Sequence, residues 1–224
     1  MPFSRLIPAL LLGAAAAGIA VAPLADSALA QARRSAPANA PLTGNLLRIQ
    51  QHLQAMQSLT ADFTQTDARG QVLNGRLTIK QPGRIRFQYQ PGVPLLIVAD
   101  GSSLTLIDYE VRQVQRWPVR NSPLAVLIDP AANLVRYGQL RDTGDPATIS
   151  VEVRDPRRPE YGMITMVFVR DASGPAGLRL YGWVALDAQR QRTSIRLANQ
   201  RYNVAIADNA FRWRDPRTGP RGRP

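Results

Sequence analysis

The stretch GRLTIKQPGRIRFQY, residues 75–89, alternates without a break. Leu77, Ile79, Ile85, Phe87 and Tyr89 fall on odd positions, and Arg76, Thr78, Lys80, Arg84, Arg86 and Gln88 on even ones. Strict period-two alternation predicts β-strand with one apolar and one solvated face. Pro82-Gly83 in the middle calls for a turn. A three-residue loop, Gln81-Pro82-Gly83, sets Ile79 opposite Ile85 and Leu77 opposite Phe87, so both arms show their apolar sides the same way. A two-residue loop sets Leu77 against Gln88 and is rejected, because a one-residue slip flips a strand's apolar set to the wrong face. A hairpin this apolar on one side has to bury that side, and the chain has few helices to cover it.

The remaining segments follow the same logic. Leu46, Ile49, Leu53 and Met56 recur at spacings of three and four, the pattern of an amphipathic helix with Thr43 or Asn45 near its cap. From Thr60 onwards short strands separated by turn residues dominate: LTADFTQTD, QVLNGRLTIK, the hairpin above, PLLIVAD, SSLTLIDY and VRQVQRWPV. NSPLAVLIDPAANLVRY then predicts a short helix starting at Asn121-Ser122 with Pro123 in its first turn. Leu124, Leu127 and Ile128 form its apolar side, and a second turn runs through Leu134 and Val135. Strands resume with TISVEVRD, GMITMVFVRD, LRLYGWVALDA and TSIRLANQRYN. The reading is a mainly β fold with some α: about ten antiparallel strands that curl into a barrel or half-barrel, because free edges must be closed or covered. The apolar face lines a concavity, which holds either side chains alone or something apolar.

Residues 1–30 carry Arg5, an apolar run from Leu6 to Ala22 and a small-residue site at Ala28-Leu29-Ala30. They read as a secretory signal peptide cleaved before Gln31, with an uncleaved anchor as the alternative. Residues 31–41 read as a flexible leader, 42–214 as one folded domain, and 215–224 as a loose basic tail. The net charge of +12 invites nucleic-acid binding. Lys80 is the sole lysine among 28 basic residues, however, and the arginines are scattered along strands and turns rather than clustered with aromatics. No nucleic-acid role is expected. Arg76, Arg84 and Arg86 read most simply as a solvated strand face.

Catalytic signals are sparse. The chain has no Cys, no Gly-x-Ser-x-Gly elbow, no phosphate loop and no metalloprotease helix. His52, the only histidine, sits among glutamines and reads as a surface residue. Asp100-Gly101 reads as turn chemistry. No enzyme activity, metal or cofactor is expected.

Four runs taken in order resemble the LolA family of periplasmic outer-membrane lipoprotein carriers: LQAMQSLTADFTQT, GRLTIKQPGRIRFQY, LIVADGSSLTLIDYEVRQVQ and NSPLAVLI. The close, NVAIADNAFRWRDP, is similar to the family's final Phe-containing strand. The resemblance covers roughly residues 46 to 216. It implies an incomplete antiparallel β-barrel with a helical lid over a hydrophobic cavity, in the periplasm and without catalysis. The implied partners are acylated lipoproteins, an inner-membrane ABC transporter that releases them and an outer-membrane receptor, with the carrier itself a monomer. It also implies cavity lining by Phe63, Leu77, Ile79, Phe87, Val98, Leu104 and Leu106, a lid face at Leu124 and Leu127, and a lid contact at Gln81. The family usually has Arg where Gln81 stands. Either Gln81 suffices, or Arg84 substitutes, or the lid is looser. Two other readings stay open: a carrier of another lipid or glycolipid, and a lipid-sensing or partner-binding module that uses the basic even-numbered face.

Overall fold

The computed structural model describes residues 44–119, 122, 124–128, 134 and 136–218. The expectations for residues 1–41, for Asn121 and Pro123, for Val135 and for the end of the tail lie outside them. The hairpin that dominates the sequence forms as its alternation dictates. Strands β2 (Val72–Lys80) and β3 (Arg84–Tyr89) pair antiparallel with Ile79 opposite Ile85 and Leu77 opposite Phe87.

Helix α1 (Gly44–Ala55) buries Ile49, His52 and Leu53, and Met56 is buried just beyond its end. It is followed by β1 (Ser58–Thr66), β2, β3, β4 (Leu95–Asp100), β5 (Ser103–Asp108) and β6 (Gln113–Pro118). Helix α2 (Ala125–Ile128) comes next, and then β7 (Gly138–Arg141), β8 (Thr148–Val153), β9 (Met163–Arg170), β10 (Leu178–Leu186) and β11 (Arg192–Tyr202). All eleven strands form one antiparallel sheet in the order β6-β5-β4-β3-β2-β1-β11-β10-β9-β8-β7. The first and last strands pair in its middle, with Phe63 opposite Leu197 and Gln65 opposite Ile195. The edges β6 and β7 are neighbours in sequence, yet they end the sheet instead of pairing with each other. The barrel is incomplete, and the chain between its two edges carries α2. Strand β7 was not expected: Gly138–Arg141 is four residues long and mostly exposed, too short and polar to show alternation.

Gly75 shows how tightly the β1–β3 wall is built. A Cβ there would stand 2.2 Å from the Gln88 carbonyl oxygen and 2.7 Å from Phe63 Cε1. Any side chain there would collide with both, so the position requires glycine.

Among the described residues after β11, 203–218, no strand forms, contrary to the resemblance-based expectation for NVAIADNAFRWRDP. It crosses the outer face of β2 to β5 and contains a short 3-10 turn, Asp208–Phe211. Phe211 packs there with Leu96, Val98 and Ile107 in a second apolar cluster, flanked by Ile206 and Trp213. Lys80 Nζ donates to the Ile206 carbonyl at 2.8 Å, and Asp208 takes Lys80 and Arg84 together at 2.5 and 2.6 Å. Arg86 Nη1 donates to the Arg212 carbonyl at 2.9 Å. The even-numbered basic face is therefore not simply solvated, because Arg84 and Arg86 hold the chain's own C-terminal segment. The expected loose tail begins in an ordered turn, Pro216–Thr218, beside β6.

His52 also departs from its expectation. It is buried, with its ring edge-on to Phe168 and Tyr202 at 5.3 and 5.5 Å, and Nδ1 lies 2.8 Å from the Pro175 carbonyl oxygen, to which it donates. It lies three residues from Ile49 on the buried side of α1, so it belongs to the core. Burial lowers its pKa below 6.5, with the Pro175 and Leu178 carbonyls partly offsetting the shift. The sign follows from proton counting. Between the folded pKa and 6.5 the unfolded chain binds the proton and the folded chain does not. This group's contribution is therefore complete above 6.5 and declines as pH falls through that window. Urea unfolding of wild type should show stability decreasing as pH is lowered below 6.5, and His52→Phe should remove that part of the slope.

Candidate functional site

The residues that can carry a function are gathered by parity on the inner side of the sheet. The β2–β3 and β3–β4 pairings keep odd residues inward, so Leu77, Ile79, Ile85, Phe87, Leu95, Ile97 and Ala99 share one face. Across the Asp100-Gly101 turn the pairs are Ala99 with Leu104 and Ile97 with Leu106, and inward parity becomes even. Asp100 shapes this turn by accepting from the Ser102 and Ser103 amides at 2.9 and 2.7 Å. Phe63, Leu77, Ile79, Phe87, Leu104 and Leu106 all join the main buried cluster. Val98 does not. It is even-numbered on a strand whose inward residues are odd, and it packs on the outer face against Phe211.

The other half of the sheet completes the inner surface with Ile149, Val151, Ile164, Met166, Phe168, Trp183, Ile195 and Leu197. Trp183 has no counterpart among the sequence-derived lining residues. A bulge between Leu180 and Gly182 shifts register on β10, so Leu180 and Trp183 face the same way despite their opposite parity. Simple alternation cannot reveal that. Aromatic rings form a chain through the middle: Phe63 lies edge-on to Phe87 at 5.4 Å and to Tyr89 at 5.3 Å, and Phe87 to Trp183 at 6.2 Å. The buried Tyr89 hydroxyl donates to Gln65 Oε1 at 2.8 Å, and burial pushes its phenol above the ordinary value. Such a surface is suited to apolar groups.

Helix α2 lies over this surface. Leu124, Val126, Leu127 and Leu134 are buried in the same cluster as the inner strands. Gln81, at the tip of the β2–β3 hairpin, donates from Nε2 to the Leu127 carbonyl at 3.0 Å. Its Oε1 accepts from the Gly83 amide of the same turn at 3.2 Å, which fixes the side chain's direction. Arg84 is committed to Asp208 on the outer side, so the lid contact falls to Gln81 alone among these two. Burying a leucine is worth about 1.5–3 kcal/mol, whereas a neutral hydrogen bond nets about 1 kcal/mol. The leucines therefore hold the lid down, and Gln81 sets where it sits.

An unclosed antiparallel sheet whose apolar inner face is covered by a helix from its own edge-to-edge connection defines a half-barrel with a small helical cover. The family described as outer membrane lipoprotein carrier protein LolA matches residues 54–214, and the chain belongs to it. The outer-membrane lipoprotein carrier protein of Xanthomonas campestris pv. campestris is 29% identical over 174 residues, which is 70% of this chain and 78% of that one. Its counterpart in Chromobacterium violaceum is 27% identical over 206 residues, 87% of this chain and 94% of that one. Among solved structures, a LolA superfamily protein from Nitrosomonas europaea aligns with a TM-score of 0.41 at 13% identity, covering 75% of this chain and 96% of its own.

Removing the tether tests the balance just described. Gln81→Ala should raise the open fraction of the lid about fivefold, the equivalent of one neutral hydrogen bond, and leave global stability nearly unchanged. Amide hydrogen exchange at Val126 and Leu127 reads this directly. Exchange unchanged from wild type would mean that Leu124 and Leu127 hold the lid without help.

Proposed function

We propose that this protein is a periplasmic carrier that takes the acyl chains of lipoproteins onto its inner face and passes them from the inner membrane to the outer membrane without catalysis. The observation that carries the reading is the lid: Leu124, just before α2, and Val126 and Leu127 within it pack on the apolar inner surface, where a ligand's chains would take their place. The magnitudes favour such an exchange. Each methylene moved out of water is worth about 0.8 kcal/mol, so a chain of about fourteen carbons gains about 11 kcal/mol. That exceeds what the lid's few leucines gain by staying down. A lid held mainly by non-directional contacts gives way to a better apolar occupant and returns when the occupant leaves.

Family membership supports the source and the recipient of the cargo: an inner-membrane ABC transporter that releases lipoproteins and an outer-membrane receptor that accepts them, with the carrier acting as a monomer. The partner-binding reading of the basic face loses support, because Arg84 and Arg86 are engaged by the C-terminal segment. Carriage of a different lipid uses the same surface and is separated by experiment. Purified mature protein should release newly made lipoproteins from spheroplasts depleted of their own carrier, as soluble one-to-one complexes. Leu106→Glu, beside the edge strand, should reduce that release at least tenfold, since a carboxylate cannot lie unpaired against an acyl chain. Full release by a folded Leu106→Glu protein would overturn the reading. No release by wild type, with another lipid copurifying from its own periplasm, would establish the different cargo.

A further inference from the structure

One donor on the inner face has nothing to bond to among the described residues. Trp183 is 2% exposed, and its indole Nε1 lacks a hydrogen-bond partner. Its cross-strand neighbours, Ile195 on β11 and Met166 on β9, are apolar, and the nearest aromatic ring is Phe87. A phenylalanine or leucine would fill this place without burying an unpaired N–H, which every folded copy otherwise carries at a cost. The position is also set apart within the fold. Gln65, the buried acceptor for Tyr89, is opposite Ile195, and Ile195 is opposite Trp183. Two polar groups, Gln65 and the Trp183 indole, thus flank Ile195 on the apolar wall near the Thr66 end of β1, away from the Gln81 end where the lid is tethered.

We propose that the Trp183 indole N–H binds a carbonyl oxygen of the cargo's acyl linkage, so that the site prefers ester- or amide-linked chains to ether-linked or plain alkyl chains. The inference rests on the carrier reading and adds to it a residue that sets specificity and depth. The carbonyl lies at the level of Gln65 and Trp183, and the hydrocarbon runs from there along the inner face toward Leu77 and Ile79 under the lid. No bond is made or broken. The donor is satisfied only while cargo is bound, so its unpaired state in the empty protein becomes part of the affinity for acyl groups.

The test uses the mature protein and two synthetic probes: a short peptide with an N-terminal S-(dipalmitoyloxypropyl)cysteine, and the same peptide with ether linkages in place of both esters. Wild type should bind the ester probe about five- to tenfold more tightly than the ether probe, the ratio expected of one neutral hydrogen bond or a little more. Trp183→Phe should bring the ratio close to one by weakening the ester probe and leaving the ether probe unchanged. If that variant does not fold, the 15N-labelled indole resonance of Trp183 in wild type replaces it, and it should move downfield with the ester probe only. Equal binding of both probes by wild type, or an indole resonance that responds to them identically, would assign the N–H to the face of Phe87 and overturn the proposal while leaving the carrier reading in place. Binding of neither probe would remove the carrier reading itself, and this inference with it.

Discussion

The pairing of β1 with β11 is the contact on which the rest of the architecture depends. It joins the two ends of the folded chain in the middle of the sheet. Strands β1–β6 and β7–β11 each follow one another as a simple meander, and this long-range pairing turns the two sheets into one and sends both free edges to the midpoint of the sequence. The edges β6 and β7 are then neighbours in sequence, and α2 lies in the connection from one to the other, buried against the inner strands. A lid is the natural content of such a connection. A closed barrel would have paired β6 with β7 and left the inner face sealed. That seam is left unpaired, and the polar, exposed character of β7 protects the edge from pairing with other chains.

How much of this was readable beforehand depended on whether each strand has one buried face or two. The β2–β3 hairpin has one, so its alternation was complete and fixed the register from sequence alone. Strand β4 is different. Leu95, Leu96, Ile97, Val98 and Ala99 are all buried. Its inner side meets the core and its outer side meets Phe211, which arrives from more than a hundred residues further along. With alternation erased, Val98 could be placed only by following parity through the neighbouring pairings, and those place it outward. Trp183 escaped for the opposite reason, because a bulge broke parity inside a strand that otherwise alternates. His52 could have been placed from spacing alone, since it follows Ile49 by three residues on the same side of α1. Its neighbours Gln50, Gln51 and Gln54 are polar, which masks that periodicity in the local composition. The Gln81 lid contact was reached through family resemblance, and the hydrogen bond to Leu127 gives it a physical basis.

The lid's energetics bear on the departure from the family's usual arginine. A guanidinium bonding to helix carbonyls carries a full charge and makes a charge-assisted bond, about twice as strong as a neutral one. Held over an apolar interior, that charge also carries a desolvation cost. Gln81 gives up the stronger bond and avoids the cost. Its oxygen is already used by Gly83, so little side-chain freedom remains to be lost when the lid arrives. A preoriented neutral donor and a flexible charged one can therefore yield similar closing free energies by different routes.

The same turn serves the outer face. Gln81 reaches inward to the lid, while Lys80 and Arg84, immediately on either side of the loop, reach outward to Asp208 and the C-terminal segment. Asp208 is exposed, yet its carboxyl is held below the ordinary 3.8 by the Lys80 hydrogen bond and then by the nearby positive charges of Arg84 and Lys80. Its charge is thus retained wherever the protein is folded near neutrality. Opposite faces of one hairpin tip are loaded by two different segments, one packed through apolar contacts, the other ionic and anchored by Phe211. The bonds of the tip thus leave in opposite directions, Gln81 to the Leu127 carbonyl on the inner side and Lys80 and Arg84 to Asp208 on the outer side. The cationic residues that looked like a binding surface are, in this arrangement, what holds the chain's own C-terminal segment against the sheet.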